Sequence, residues 1–337
     1  MPKEYTHWYL AELCRNALPD LSSGRFGNLA HLLERNCNAY LIGAVAPDLL
    51  FYAKNAAQFR NEADLIHGLR GEDTFEPVRA MLRAEAVKGL NEPVIALACG
   101  ILTHIATDAT FHPLVYYFAA DSIARHWSFE TCMDLHVQTL RALPNEGLFS
   151  RLVEAPGTDL GLLSRALCRY FFGSADEHPG AVHAALLREA RVQKLFYSRL
   201  AASILAAGTV LLPGLRNLLG LSYAGMRGQS LSSFAAPIEY KHPVTCEEQH
   251  TSFEELASEA IRRAADMVTA LWRSIDSPDP AAGLSGMRGP SLETGLTAGA
   301  GTEPWAQTPQ PWAQTPQPWA QTLRCARPDL FKKFLPG

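Results

Sequence analysis

The stretch GILTHIATDATFHP, residues 100–113, limits what this chain can fold into more than any other. It closes an apolar run that begins near residue 93, and a helix that is apolar on almost every side belongs at the centre of a fold. Yet it carries His104, Asp108 and His112, each four positions after the last. Successive i+4 positions on a helix drift by about 40°, so all three share one face. A buried carboxylate is costly unless it is paired, and no Lys or Arg occurs between Lys88 and Arg125 to pair with it. A divalent metal ion would satisfy all three side chains at once. Pro113 disfavours helical geometry at His112, which predicts a helix end there and lets His112 face a different ion from His104.

The same residue types recur nearby. RHWSFETCMD supplies His126 and Glu130, again at i and i+4, with Asp134 extending the row. A His and a carboxylate at this spacing can chelate one ion from one helix face. Asp48 ends GAVAPD, a Gly/Pro context that reads as a turn or helix end; His67 stands before Gly68, and His7 lies in THW. Singly, each reads as a core hydrogen-bonder, a cap or a solvated helix face. Together, five His and three acidic residues on four or five helical segments, mostly in apolar settings, point to metal binding.

Helical periodicity covers about 7–18, with Thr6 as the expected cap, then 28–42, 76–88, 93–112, 122–142, 158–173, 179–208 and 252–275, and alternating strand patterns are scarce. The expected fold is all-α, one multi-helix domain over residues 1–276. LAASILAAGTVLLPGLRNLLGL, residues 200–221, is the most hydrophobic segment, broken by Pro213, Gly214 and Arg216. Its unbroken part falls short of the roughly 20 residues of a spanning helix, and it reads as a buried core helix, with a lipid-facing hairpin as the alternative. From Ser277 onward, small residues, Gly and Pro predict a disordered linker and tail over 277–337. PWAQTPQ at 304–310 recurs at 311–317 and closes as PWAQT at 318–322, where proline forbids a helix and favours extended chain.

A net charge of −4 leaves no basic footprint for nucleic acid. MPKEYTHWYLAELC has charges and a His where a signal peptide carries its apolar core, so a cytoplasmic protein is expected. The seven cysteines are scattered with no C-x-x-C pair, which reads as ordinary buried thiols in a reducing compartment.

The order TH at 6–7, GAVAPD at 43–48, HG at 67–68, GILTHIATDATFHP at 100–113 and RHWSFE at 125–130 resembles the zinc-dependent phospholipase C family. That family includes bacterial phospholipases C and the amino-terminal domain of glycosylphosphatidylinositol-specific phospholipase D, with single-strand-specific zinc nucleases as distant relatives. The resemblance implies three Zn2+ sites in an all-helical fold, with two or three ions bound. Asp48, His67, His104 and Asp108 would hold one ion, Asp108 would bridge to a second bound by His7, and His112, His126 and Glu130 would hold the third. Asp48 would also be the general base. Two positions depart from the family: Met1-Pro2 stands where the mature secreted enzymes begin with a metal-binding Trp, and the gap from Asp108 to His112 is two residues shorter, which suits one continuous helix. The expected function is phosphodiester hydrolysis by metal-activated water, on a phospholipid substrate and with peripheral membrane contact. A nuclease-like phosphodiesterase and a non-catalytic metal-binding module are the competing readings.

Overall fold

The computed structural model describes residues 4–120, 122–143, 145–209, 211–212, 215–226, 232–297 and 325–333. Helix α1 (Glu4–Ala17) opens the fold, and Asp134 caps it from across the molecule, accepting from the backbone N–H of Tyr5 at 3.0 Å and of Thr6 at 2.8 Å. A minimal hairpin, β1 (Ser22–Ser23) and β2 (Gly27–Asn28), leads to α2 (Leu29–Arg35) and α3 (Cys37–Gly43), two helices where periodicity predicts one. A 3-10 segment, Ala46–Tyr52, has Pro47 in its first turn and carries Asp48. Then come α4 (Arg60–Ile66), α5 (Glu76–Ala86), α6 (Glu92–Ala119) and α7 (Ile123–Leu140). The chain continues through α8 (Phe149–Val153), α9 (Leu160–Phe172), α10 (Pro179–Tyr197) and α11 (Arg199–Gly208). The short helices α12 (Arg216–Leu219), α13 (Tyr223–Met226) and α14 (Ser232–Ala235) precede an antiparallel hairpin, β3 (Ile238–Lys241) and β4 (Glu248–Thr251). Helix α15 (Phe253–Arg273) starts with a capping box between Ser252 and Glu255. The all-α expectation holds, the two hairpins being small additions.

Helix α6 is the axis, with α15, α3, α7 and α1 packed around it. By length and composition it could cross a membrane, but its most apolar window is wholly buried by neighbouring helices, as befits a core helix. It crosses α3 at two glycines: a Cβ on Gly100 would lie 2.0 Å from the Tyr40 carbonyl oxygen, and one on Gly43 would lie 2.2 Å from that of Leu97. The helix end expected at His112 is not found, because α6 runs through Pro113 to Ala119. Proline removes the N–H that would reach the Ala109 carbonyl. The backbone of Gly295 lies against that carbonyl, so close that a Cβ there would sit 2.1 Å from the oxygen.

The segment at 200–221 is not a core helix. The helix expected over 179–208 breaks at Ser198, whose side chain caps α11 by accepting from Ala201 N, and in α11 only Ala202 is buried. Leu200, Ile204, Leu211 and Leu212 are 71, 62, 83 and 62 % exposed. Packing also continues past the boundary expected at residue 276. Ala281, Leu284 and Leu292 are buried, and Arg79 Nη1 donates to the carbonyls of Leu284 and Met287, both at 3.3 Å. Small residues let this segment fit through its backbone: a Cβ on Gly283 would lie 1.7 Å from the Ala270 carbonyl oxygen. The cysteines are not all thiols, since Cys246 and Cys325 form a disulfide that ties residues 325–333 to the β3–β4 hairpin. The PWAQTPQ repeats lie outside the described residues.

Candidate metal centre

The eight residues picked out from sequence converge, and all are buried. His7 comes from α1, Asp48 from the 3-10 segment, His67 from the residue that closes α4, His104, Asp108 and His112 from α6, and His126 and Glu130 from α7. They form three groups: His7, His104 and Asp108; Asp48, His67 and His104; and His112, His126 and Glu130. Within each group the ligand atoms lie within 4.8 Å of one another. Zinc–ligand bonds of about 2.0–2.2 Å place donor atoms in that range.

Asp108 is central. Its Oδ1 is 3.2 Å from His7 Nε2 and 3.9 Å from His112 Nε2, and its Oδ2 is 3.0 Å from His104 Nε2. His67 Nε2 is 3.2 Å from Asp48 Oδ1, and Glu130 Oε1 is 2.6 Å from His126 Nε2 and 3.4 Å from His112 Nε2. The rings of His7 and His104 stack at 4.3 Å. The short gap between Asp108 and His112 is realised on one continuous helix, which keeps both groups on the same face.

Two observations test whether these residues suit a metal. Three histidines turn Nδ1 to a backbone carbonyl: His67 to Ala63 at 2.6 Å, His104 to Ala44 at 3.0 Å and His112 to Leu292 at 2.7 Å. A carbonyl only accepts, so Nδ1 carries the proton and each Nε2 presents a lone pair toward the cluster, the outer-shell arrangement of histidine metal ligands. Both ring nitrogens of His7, Nε2 of His104 and of His112, and Oδ2 of Asp108 are buried without a hydrogen-bond partner. These atoms stand at hydrogen-bond distances but are not aligned as donor and acceptor. A cation among them would satisfy what they cannot satisfy for one another, so the set fits a metal.

Protonation follows the same logic. Burial, helped by the neighbouring His104, pushes the pKa of His7 down. Burial outweighs Glu130 in lowering that of His126. The carboxylates resist burial: Asp108 is held well below its ordinary value by His104, His112 and His7, and Glu130 is held at about 2, chiefly by His126. His112, between Asp108 and Glu130, is pushed up to about 10 despite its burial. The acids demand positive charge beside them, which a bound cation would supply.

Sequence reasoning missed Glu293, because its segment reads as linker. Residues 289–295 form a strap over the centre. Thr74 Oγ1 donates to the Pro290 carbonyl at 2.9 Å, Leu292 N to the His67 carbonyl at 2.9 Å, and His242 Nε2 to the Thr294 carbonyl at 2.9 Å. The strap brings Glu293 to a cavity of about 130 Å³ also lined by Asp48, His67, His112, Tyr116 and His126. The Tyr116 hydroxyl donates to Glu293, whose pKa burial raises while His112 and His67 oppose it. Asp134 is not beside Glu130's partners but at the start of α1, where Thr6 Oγ1 and Tyr223 Oη also donate to it. His242 holds the strap from the β3–β4 turn, while His250 is exposed on β4 near Glu239.

Residues 6–155 match the family model described as zinc dependent phospholipase C. The matched segment carries all eight converging residues. No curated protein and no solved structure matches the chain.

Proposed function

We propose that this chain, with its zinc dependent phospholipase C segment at residues 6–155, is a phosphodiester hydrolase that cleaves a phospholipid in phospholipase C fashion. The observation that carries the reading is the joint convergence of five histidines and three acids, three of the histidines with Nδ1 fixed by backbone carbonyls. Asp48, His67, His104 and Asp108 would hold one ion, His7 and Asp108 a second, and His112, His126 and Glu130 a third. Bound zinc supplies Lewis-acid stabilisation of charge on the phosphoryl group and lowers the pKa of water toward ~7.

The chain's own residues set the rest. Asp48 faces the 130 Å³ cavity and takes the proton of the attacking water as general base. Arg60, at the cavity wall and 5.5 Å from the Phe51 ring centroid, meets the phosphodiester as it enters. The strap 289–295 covers the cavity on one side and holds His67 and His112 in register. The resulting products are a diacylglycerol and a phosphorylated head group. The test is to count zinc in the purified chain and follow a chromogenic phosphodiester. Turnover that vanishes in Asp108→Ala is expected. A zinc-loaded chain with no turnover would leave a metal-binding module instead.

A further inference from the structure

Beside the metal cavity, and sharing Phe51, Arg60 and Trp127 with it, runs an apolar groove of about 1040 Å³. Ala53, Ala56 and Ala57 line one part of it, and side chains from α10, α11 and α12 line the rest, among them Phe196 and Leu205. At or above the upper end of the roughly 300–1,000 Å³ of small-molecule sites, this groove has room for long apolar chains. The α11 rim is apolar on its outer side as well, with Leu200, Ile204, Leu211 and Leu212 facing solvent. Cations stand next to that rim: Arg188, which lines the groove, is exposed on α10, and Arg199 is exposed at the start of α11. Exposed apolar side chains flanked by Lys and Arg are what a segment lying in an anionic membrane interface requires.

We infer that the groove takes the acyl chains of the substrate lipid, while the α11 rim sits in the bilayer surface from which that lipid is drawn. This rests on the hydrolase reading above and goes beyond it by assigning where the chains go. Continuity decides the occupant. A phosphodiester at the metal cavity would have its glycerol at the wall shared by Phe51, Arg60 and Trp127, and from there the groove lined by alanines, Phe196 and Leu205 continues directly. A nucleic acid would leave such a groove unused.

The test uses the zinc-loaded full chain in two arms. In the first, vesicles of phosphatidylcholine with phosphatidylserine are sedimented with protein. Leu200→Asp and Ile204→Asp are each expected to lower partitioning on the order of ten-fold, as loss of a buried Leu or Ile side chain implies, while Val87→Asp, on a distant exposed site, is expected to leave it unchanged. In the second, monomeric short-chain phosphatidylcholines are compared. Wild-type kcat/KM is expected to rise by up to about four-fold per added methylene, and Ala56→Trp, which fills the groove, to flatten that rise. Melting temperature and zinc content confirm that each variant is folded. Unchanged vesicle partitioning in both Asp variants, or a chain-length profile untouched by Ala56→Trp, overturns the inference. So does light scattering that finds a wild-type dimer split by Ile204→Asp with vesicle binding intact, since the rim would then bind a second copy. A wild-type chain that cleaves no phosphodiester sinks the hydrolase reading and with it the assignment of the groove to substrate chains, while the vesicle arm still decides whether the α11 rim is a membrane surface.

Discussion

Gly100→Ala tests how the fold holds the centre. Gly100 stands one turn before His104 on α6, where α6 meets α3. A Cβ at this position would lie 2.0 Å from the Tyr40 carbonyl oxygen and 2.8 Å from Ala44 N, against the 3.4–4 Å of ordinary contact. Both neighbours are backbone, so the two helices must part by more than an ångström. His104 Nδ1 donates across this same junction to the Ala44 carbonyl at 3.0 Å, and a shift of that size breaks the bond. Overpacking of this kind costs about 1–3 kcal/mol, offset by about 0.5–1 kcal/mol for replacing a mid-helix glycine. The net stability loss is therefore modest, on the order of 1 kcal/mol. The loss of the His104 outer-shell bond acts on the metal instead, typically by about 10–100-fold in affinity. Competition against a chromophoric chelator should then show weakened zinc in a chain that still folds by circular dichroism. Zinc affinity unchanged within about two-fold would refute the claim that this helix crossing positions His104.

Other outcomes follow from the same geometry. A chain ending at residue 276 should bind zinc about 10–100-fold more weakly than one ending at 297, because only the longer chain supplies the Leu292 carbonyl to His112; chelator titration compares them. Burial raises the Asp134 carboxyl to about 7 against the hydrogen bonds that Thr6 and Tyr223 donate. A folded pKa above the unfolded one gives stability that is present below about pH 4 and lost as pH climbs through about 7. Asp134→Asn should therefore lose less melting temperature between pH 5 and 8 than the wild type does. Thiol titration of unreduced, denatured protein should count five free cysteines of the seven, rising to seven after reduction, since only Cys246 and Cys325 are paired.

The sequence carries the centre well because its constraint is local. Three polar residues at i+4 spacing on an apolar helix, with no cation near in sequence, need one another and a metal wherever the helix packs. His126 and Glu130 follow the same rule on α7. What sequence hides depends on distant partners. Glu293 lies in a run of Gly, Ser and Pro that looks unable to build a core, yet it packs through backbone contacts and a few anchors such as Leu284 and Leu292. Hydropathy ranks 200–221 as the most buried stretch, but it counts residues and not neighbours: α11 meets chiefly α10 and the short helices α12 and α13 among the described helices, and of its residues Ala202 alone is buried. Proline at 113 biases against helix without forbidding it, and the close packing of α6 against its neighbours carries the helix on to Ala119. The Cys246–Cys325 bond spans 79 residues, a separation no local spacing rule reaches.

The most direct test of the whole account is product analysis by mass spectrometry after incubating the zinc-loaded chain with a diacyl phosphatidylcholine. The account predicts diacylglycerol and phosphocholine in equal amounts, and neither from Asp48→Asn. Intact lipid after incubation with a folded, zinc-replete chain, or cleavage at an acyl ester in place of the phosphodiester, would contradict it.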